Sequence, residues 1–130
     1  MTIEMTPIGY AQTREKKVPR HWSVSDLVGF LEIDDAYVDG LRDIGPGDRI
    51  VVIFHFHRSP AFETRYLIQT PPHHGQARGV FSTCSPRRPN PIGFSVLEVI
   101  ERKGNRIVAK GMDMIDGTPI LDIKPFVESN

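Results

Sequence analysis

The sequence predicts an all-β domain, mainly an antiparallel β-barrel with one or two short helices. Three observations lead there. Apolar residues come mostly in short runs rich in β-branched and aromatic side chains, which suit a pleated, half-buried surface. Eleven glycines and eleven prolines punctuate a chain of 130 residues, a turn density that cuts it into many short strands. No Gly-x-Gly-x-x-Gly and no long strand–helix alternation occurs, which argues against a doubly wound nucleotide-binding sheet.

The elements follow in chain order. Residues 4–11 and 28–33 read as the first two strands. Asp34 or Asp35 then suits the N-cap of a short helix over 36–44, whose apolar positions 37, 38, 41 and 44 fall on one helical face. Residues 51–56, Val-Val-Ile-Phe-His-Phe, form a buried strand. Residues 64–69 and 78–83 are further strand candidates. Residues 94–100 and 106–111 flank Lys103-Gly104-Asn105, a hairpin signal, and 118–123 supplies the last strand. No internal repeat, low-complexity tract or linker interrupts this pattern. The expected organisation is therefore one domain over 1–130 without a C-terminal extension.

Composition sets the boundaries for function. There is no apolar run of eighteen residues and no charged-then-apolar leader, so neither a membrane span nor a secretory signal is expected. A single cysteine, Cys84, leaves no internal disulfide and fits a reducing, cytoplasmic setting. Sixteen basic residues balance sixteen acidic ones, so no global charge drives the chain towards nucleic acid or lipid. The distribution is less even. Residues 26–48 hold seven acids against Arg42 alone, whereas 64–97 hold none and include Arg65, His73, His74, Arg78, Arg87 and Arg88. Such a segment either holds a polyanion locally or forms a solvated charge face.

Within that basic segment lies Ser85-Pro86-Arg87-Arg88-Pro89-Asn90-Pro91-Ile92-Gly93. Proline fixes φ and removes an N–H donor, so the stretch is stiff and cannot pair as a central strand. Two arginines on such a frame are preorganised for phosphate, carboxylate or a stacked base; the plainer alternative is a rigid connection facing water.

A second stretch, residues 111–125, carries Asp113, Asp116 and Asp122 among apolar neighbours. Asp116-Gly117 is a turn pair, and Thr118-Pro119 restarts an extended segment. Carboxylates in that company need partners or roles. The spacing lacks the alternating oxygen ligands of a calcium loop, so acceptors for ribose hydroxyls or an amino group suit it better, and no metal is expected. His55 and His57, two apart in a strand, could chelate zinc but lack a third ligand of convincing spacing. Cys84 sits beside the basic loop, where arginines favour a thiolate, although a small apolar role is commoner for a lone cysteine.

With these residues in view, the chain resembles the TsaA-like family, the TrmO-type tRNA methyltransferases. The likeness runs from Ile8-Gly9 to about Phe126. It is carried by Arg78-Gly79-Val80-Phe81-Ser82-Thr83, by Ser85-Pro86 with Arg88-Pro89-Asn90-Pro91-Ile92-Gly93, and by Asp116-Gly117-Thr118-Pro119 leading into Leu121-Asp122-Ile123-Lys124-Pro125.

The resemblance implies a β-barrel enzyme that uses S-adenosylmethionine to methylate N6 of threonylcarbamoyl-adenosine at position 37, in the anticodon loop of tRNA. It also implies a homodimer with cofactor pockets near the subunit interface. Carried over by position, the cofactor site comprises Pro19, Arg20, His21, His57, Arg58, Cys84, Phe94, Asp116, Gly117, Thr118 and Pro119. Arg87, Arg88, Asn90 and Lys124 fall on the substrate side. Among Asp113, Asp116 and Asp122, Asp116 is the expected proton acceptor. The chain departs from the family pattern at Cys84, where arginine is usual, at His21, where glutamine is frequent, and at Phe126, where tyrosine is common. Two other readings stand beside this one: an S-adenosylmethionine-binding module without tRNA activity, and a small-molecule methyltransferase.

Overall fold

Among the described residues, eight strands carry the frame: β1 (Gly9–Gln12), β2 (Val28–Ile33), β3 (Arg49–His55), β4 (Ile68–Gln69), β5 (Arg78–Gly79), β6 (Ile92–Lys103), β7 (Arg106–Lys110) and β8 (Pro119–Pro125). The computed structural model describes residues 1–73 and 75–128, so His74 lies outside the described residues. Six strands close into a barrel in the order β1-β2-β7-β6-β3-β8, with β4 and β5 paired separately. Every barrel pairing is antiparallel. The seam between β1 and β8 is short, with only Gly9 opposite Ile120 and Tyr10 opposite Pro119.

Alternation of side chains builds the interior. Ile50, Val52 and Phe54 from β3 meet Leu97 and Val99 from β6, Leu31 and Ile33 from β2, and Ile107 and Ala109 from β7 in one buried cluster. Met112 and Met114, from the β7–β8 connection, plug the same core and are essentially inaccessible to solvent.

Strand direction then decides where the connections go. Since each neighbour around the ring is antiparallel, the ends of β1, β3 and β7 share one end of the barrel with the starts of β2, β6 and β8. The connections 13–27, 56–91 and 111–118 therefore all gather there. The helical segment between β2 and β3, the β6–β7 hairpin and the end of β8 occupy the other end.

Three local expectations are corrected. The helix is a 3-10 helix, Asp35–Leu41, because Asp34 makes no side-chain cap and the bonds formed run three residues back, such as Tyr37 N–H to Asp34 O at 2.9 Å. At that period Val38, Leu41 and Ile44 share the inward face, and Tyr37 turns out, 45% exposed. Residues 64–67 and 80–82 are also 3-10 turns, leaving only two paired residues in each of β4 and β5. Their apolar pattern buries Tyr66 and Val80 but leaves Leu67, Ile68 and Phe81 outside, and among the described residues no third strand extends the ladder. Lastly, β1 starts at Gly9 rather than residue 4, although Ile8 N–H still reaches Ile120 O at 2.7 Å.

Candidate active site

The three gathered connections enclose a cleft of about 780 Å³, inside the roughly 300–1,000 Å³ typical of small-molecule sites. Two shallower clefts, about 580 and 440 Å³, lie towards the other end. Each wall has a sequence origin. The 13–27 connection supplies Val18, Pro19, Arg20, His21 and Trp22; the end of β3 and the turn after it supply Phe54, Phe56, His57, Arg58, Ser59 and Pro60. The proline loop and the start of β6 add Thr83, Cys84, Pro86, Arg87, Arg88, Ile92, Gly93 and Phe94, and the β7–β8 connection adds Asp113, Met114, Ile115 and Thr118.

The proline loop is held as a rigid rim. Arg88 Nη1 donates to both Thr83 O and Ser85 O at 3.0 Å, gripping the carbonyls on either side of Cys84. Ser59 Oγ donates to Pro86 O at 3.0 Å, and Phe56 N–H donates to Pro91 O at 2.8 Å, pinning the loop to the turn after β3. Arg87 lies over the Tyr66 ring at 5.3 Å, and its carbonyl accepts from Gln69 Nε2 at 2.7 Å. Pro86, Pro89 and Pro91 have no N–H to donate, so side-chain donors do much of the loop's anchoring.

On the facing wall, His21 Nδ1 accepts the Ser23 N–H at 3.2 Å and caps the turn Trp22–Val24, which fixes its ring against Trp22 at 5.0 Å. Phe54 and Phe56 meet edge to face at 5.0 Å and form the aromatic floor. β3 stops at His55, and the chain turns tightly with His57 N–H on His55 O at 2.8 Å. His57 thus faces the cleft instead of sharing a strand face with His55. Burial, then the charge of Arg58 and the ring of His55, hold His57 below the ordinary histidine value, with the His55 carbonyl pulling weakly the other way. Its Nδ1 is buried without a well-formed hydrogen bond. Among the described residues, no three His, Cys, Asp or Glu side chains gather as a metal cluster.

The three aspartates separate sharply. Asp113 faces the cleft, with its Oδ1 accepting from the buried Ser95 Oγ at 2.6 Å. Burial raises its pKa; the Ser95 bond, the His21 ring and the Trp22 and Asp113 backbone amides oppose that rise. Asp116 is exposed at the turn, where its Oδ1 accepts the Thr13 N–H at 3.1 Å and ties two connections together. Asp122 caps its own neighbour, Ile123 N–H, at 2.9 Å and pairs with Lys124 at 2.7 Å.

Of the residues singled out from sequence, Pro19, Arg20, His21, His57, Arg58, Cys84, Phe94, Thr118, Arg87 and Arg88 line one cleft. Gly117 stands next to it: at φ 82° it permits the turn, and a Cβ there would lie 4.0 Å from His57 Nε2. Asp116, Pro119 and Asn90 lie outside the lining, as supports of the flanking turns. Lys124 borders the cleft at the far end, because β8 starts at the site and runs away from it. Sequence reasoning missed Trp22, Phe54, Phe56 and Met114 as walls, and Ser95 as a partner. Ser95 had a signal: it is the one polar residue at an inward position of β6 and so required a hydrogen-bond partner.

Four likenesses bear on this cleft. A family model described as the tRNA-methyltransferase O N-terminal domain matches residues 9–130. A probable S-adenosyl-L-methionine-binding protein of Pyrococcus abyssi is 42% identical over 125 residues, covering 93% of this chain and 66% of that protein. A mouse tRNA (adenine(37)-N6)-methyltransferase is 42% identical over 76 residues, 58% of this chain and 18% of that protein. A crystal structure of TrmO from P. aeruginosa superposes with a TM-score of 0.75 at 32% identity, covering 98% of this chain and 55% of that one. The chain thus spans about two thirds of the archaeal relative and about half of the TrmO chain.

Proposed function

Because the chain belongs to the tRNA-methyltransferase O N-terminal domain family, we propose that it is an S-adenosylmethionine-dependent methyltransferase acting on N6 of threonylcarbamoyl-adenosine 37, in the tRNA anticodon loop. The observation that carries this reading is the convergence of four separate segments on one cleft with an aromatic floor, a cationic rim and a single inward carboxylate. The donor set fits the cofactor. Arg20 and Arg58 suit the methionyl carboxylate, Trp22, Phe54, Phe56 and Phe94 offer faces to adenine and to the sulfonium, and His57 Nδ1 is a buried polar atom in need of a partner. When bound, S-adenosylmethionine supplies the electrophilic methyl group, and the chain supplies alignment and exclusion of water.

The substrate side is the proline-loop rim. Arg87, exposed above Tyr66, suits an anticodon-loop phosphate or the threonyl carboxylate. Arg88 and Asn90 support that rim from below. A loop nucleotide is unstacked at lower cost than one in a duplex, which favours an open cleft of this kind. We also place the protein in the cytoplasm, with its tRNA substrate, and as a homodimer, the latter supported by the apolar side chains left outside around β4 and β5: Ile68 at 63% and Phe81 at 78% exposure.

The names of archaeal relatives stop at S-adenosylmethionine binding, so binding without this transfer is the second reading. Calorimetry with S-adenosylmethionine, followed by incubation with tRNA bearing threonylcarbamoyl-adenosine and nucleoside mass spectrometry, decides. Cofactor binding plus one added methyl group on that nucleoside supports the enzyme. Cofactor binding with an unchanged nucleoside leaves the binding module, and no binding at all removes both.

A further inference from the structure

We propose that Asp113 is the proton acceptor of the reaction, with Ser95 its positioning residue. This rests on the methyl-transfer reading above.

The geometry supplies the argument. Of the three aspartates in the 111–125 segment, Asp113 alone lines the cleft. It is attached to the barrel wall rather than to a mobile tip: Ser95, fully buried in β6, donates to Oδ1 at 2.6 Å. The preceding carbonyl, Met112 O, is itself gripped by the buried Ser25 Oγ at 2.6 Å. Two short hydrogen bonds, one from β6 to the carboxylate and one from the 13–27 connection to the backbone beside it, therefore fix its position and leave it little freedom to swing away. Asp116, by contrast, is turned outwards and bound to the Thr13 amide.

Chemistry gives the carboxylate its task. As the N6–methyl bond forms, the sulfur–carbon bond breaks and its electron pair stays on sulfur, which becomes a neutral thioether. The nitrogen gives up its one hydrogen as a proton, and Asp113 receives it. N6 of a carbamoylated adenosine is a weak, delocalised nucleophile, so a fixed acceptor matters more here than at an ordinary amine. Burial also makes Asp113 a better base than a solvated aspartate, since its pKa is raised.

The groups facing it set the expected pH response. From the 13–27 connection come Arg20 and His21; from the turn after β3 come His57 and Arg58; from the proline loop come Cys84, Arg87 and Arg88. Of these, His57 is held below the ordinary histidine value by burial, while burial raises Asp113. Protonating Asp113 removes the acceptor, so it contributes to the acid limb, and Ser95, which bonds Asp113 and not His57, distinguishes the two.

The test uses the full chain with Asp113→Asn, Ser95→Ala and Asp116→Asn. We expect S-adenosylmethionine affinity of Asp113→Asn, by calorimetry, to stay within about threefold of wild type, while the single-turnover rate falls by roughly 10²–10⁴-fold. In the free protein, carbon NMR of labelled aspartate should show one carboxyl titrating above its peers and missing from Asp113→Asn. Ser95→Ala should move that titration and the acid limb of the rate profile to higher pH, because a donor to the ionised form is lost. A wild-type rate in folded, cofactor-bound Asp113→Asn overturns the proposal, as does loss of rate in Asp116→Asn alone. Absence of cofactor binding or methyl transfer in wild type defeats the underlying reading instead, so the two failures are distinct.

Discussion

Gly93 closes the basic loop and opens β6, and the cost of a side chain there can be worked from the structure. On the neighbouring strand β3 it pairs with Phe54, whose ring lies directly on the glycine backbone. A Cβ at Gly93 would sit well inside contact distance of Phe54 Cζ and Cε2, and 2.9 Å from Cε1. The ring has nowhere easy to go. It is 3% exposed and braced edge to face by Phe56 at 5.0 Å. Gly93→Ala therefore forces an overpacked core, costing about 1–3 kcal/mol. For 130 residues, that corresponds to a Tm lowered by roughly 4–11 °C. Thermal and urea unfolding measure it directly. Because Phe54 and Phe56 also form the cleft floor, S-adenosylmethionine affinity should fall in the same variant. A double variant with Phe54→Leu removes the clash, and the cycle should show a favourable coupling of about 0.5–3 kcal/mol. A Gly93→Ala midpoint indistinguishable from wild type, or additive single and double variants, refutes the packing argument.

Two further outcomes are expected. Arg88→Ala, which releases Thr83 O and Ser85 O, should lose about 1 kcal/mol and speed amide exchange across residues 83–91, whereas Arg88→Lys should restore only part of the protection, its rotating ammonium being less preorganised than the guanidinium. His57 is held below the ordinary histidine value, so the unfolded chain binds its proton first, and the native state loses stability as pH falls from about 6.5 through the folded value. The urea midpoint of wild type should therefore fall more steeply between pH 7.5 and 5 than that of His57→Gln; parallel slopes would show that burial does not set this residue's charge.

The frame was legible because its signals are local. β2 falls on residues 28–33 as read, and the turn at Lys103-Gly104-Asn105 joins β6 to β7, since alternation and turn chemistry need no distant partner. Residues 64–69 carried equally good strand character yet became mainly a 3-10 turn. A strand exists only when a neighbour accepts its hydrogen bonds, and here none extends beyond two residues. The helix failed for a related reason: one buried face at a three-residue repeat won over a four-residue pattern that would have included Tyr37.

What the sequence alone determined was the class of fold, the family, and which segments carry chemistry, because composition, turn residues and unusual motifs are written along the chain. Only the tertiary structure decided which members of those segments meet. Strand direction alone gathers the connections 13–27, 56–91 and 111–118 at one end of the barrel and carries Lys124 to the other. Register likewise aims Asp113 at Ser95 while the next turn sends Asp116 into solvent. Those two carboxylates are three positions apart in sequence, but burial, which sets their chemistry, depends on neighbours that only the closed barrel brings near.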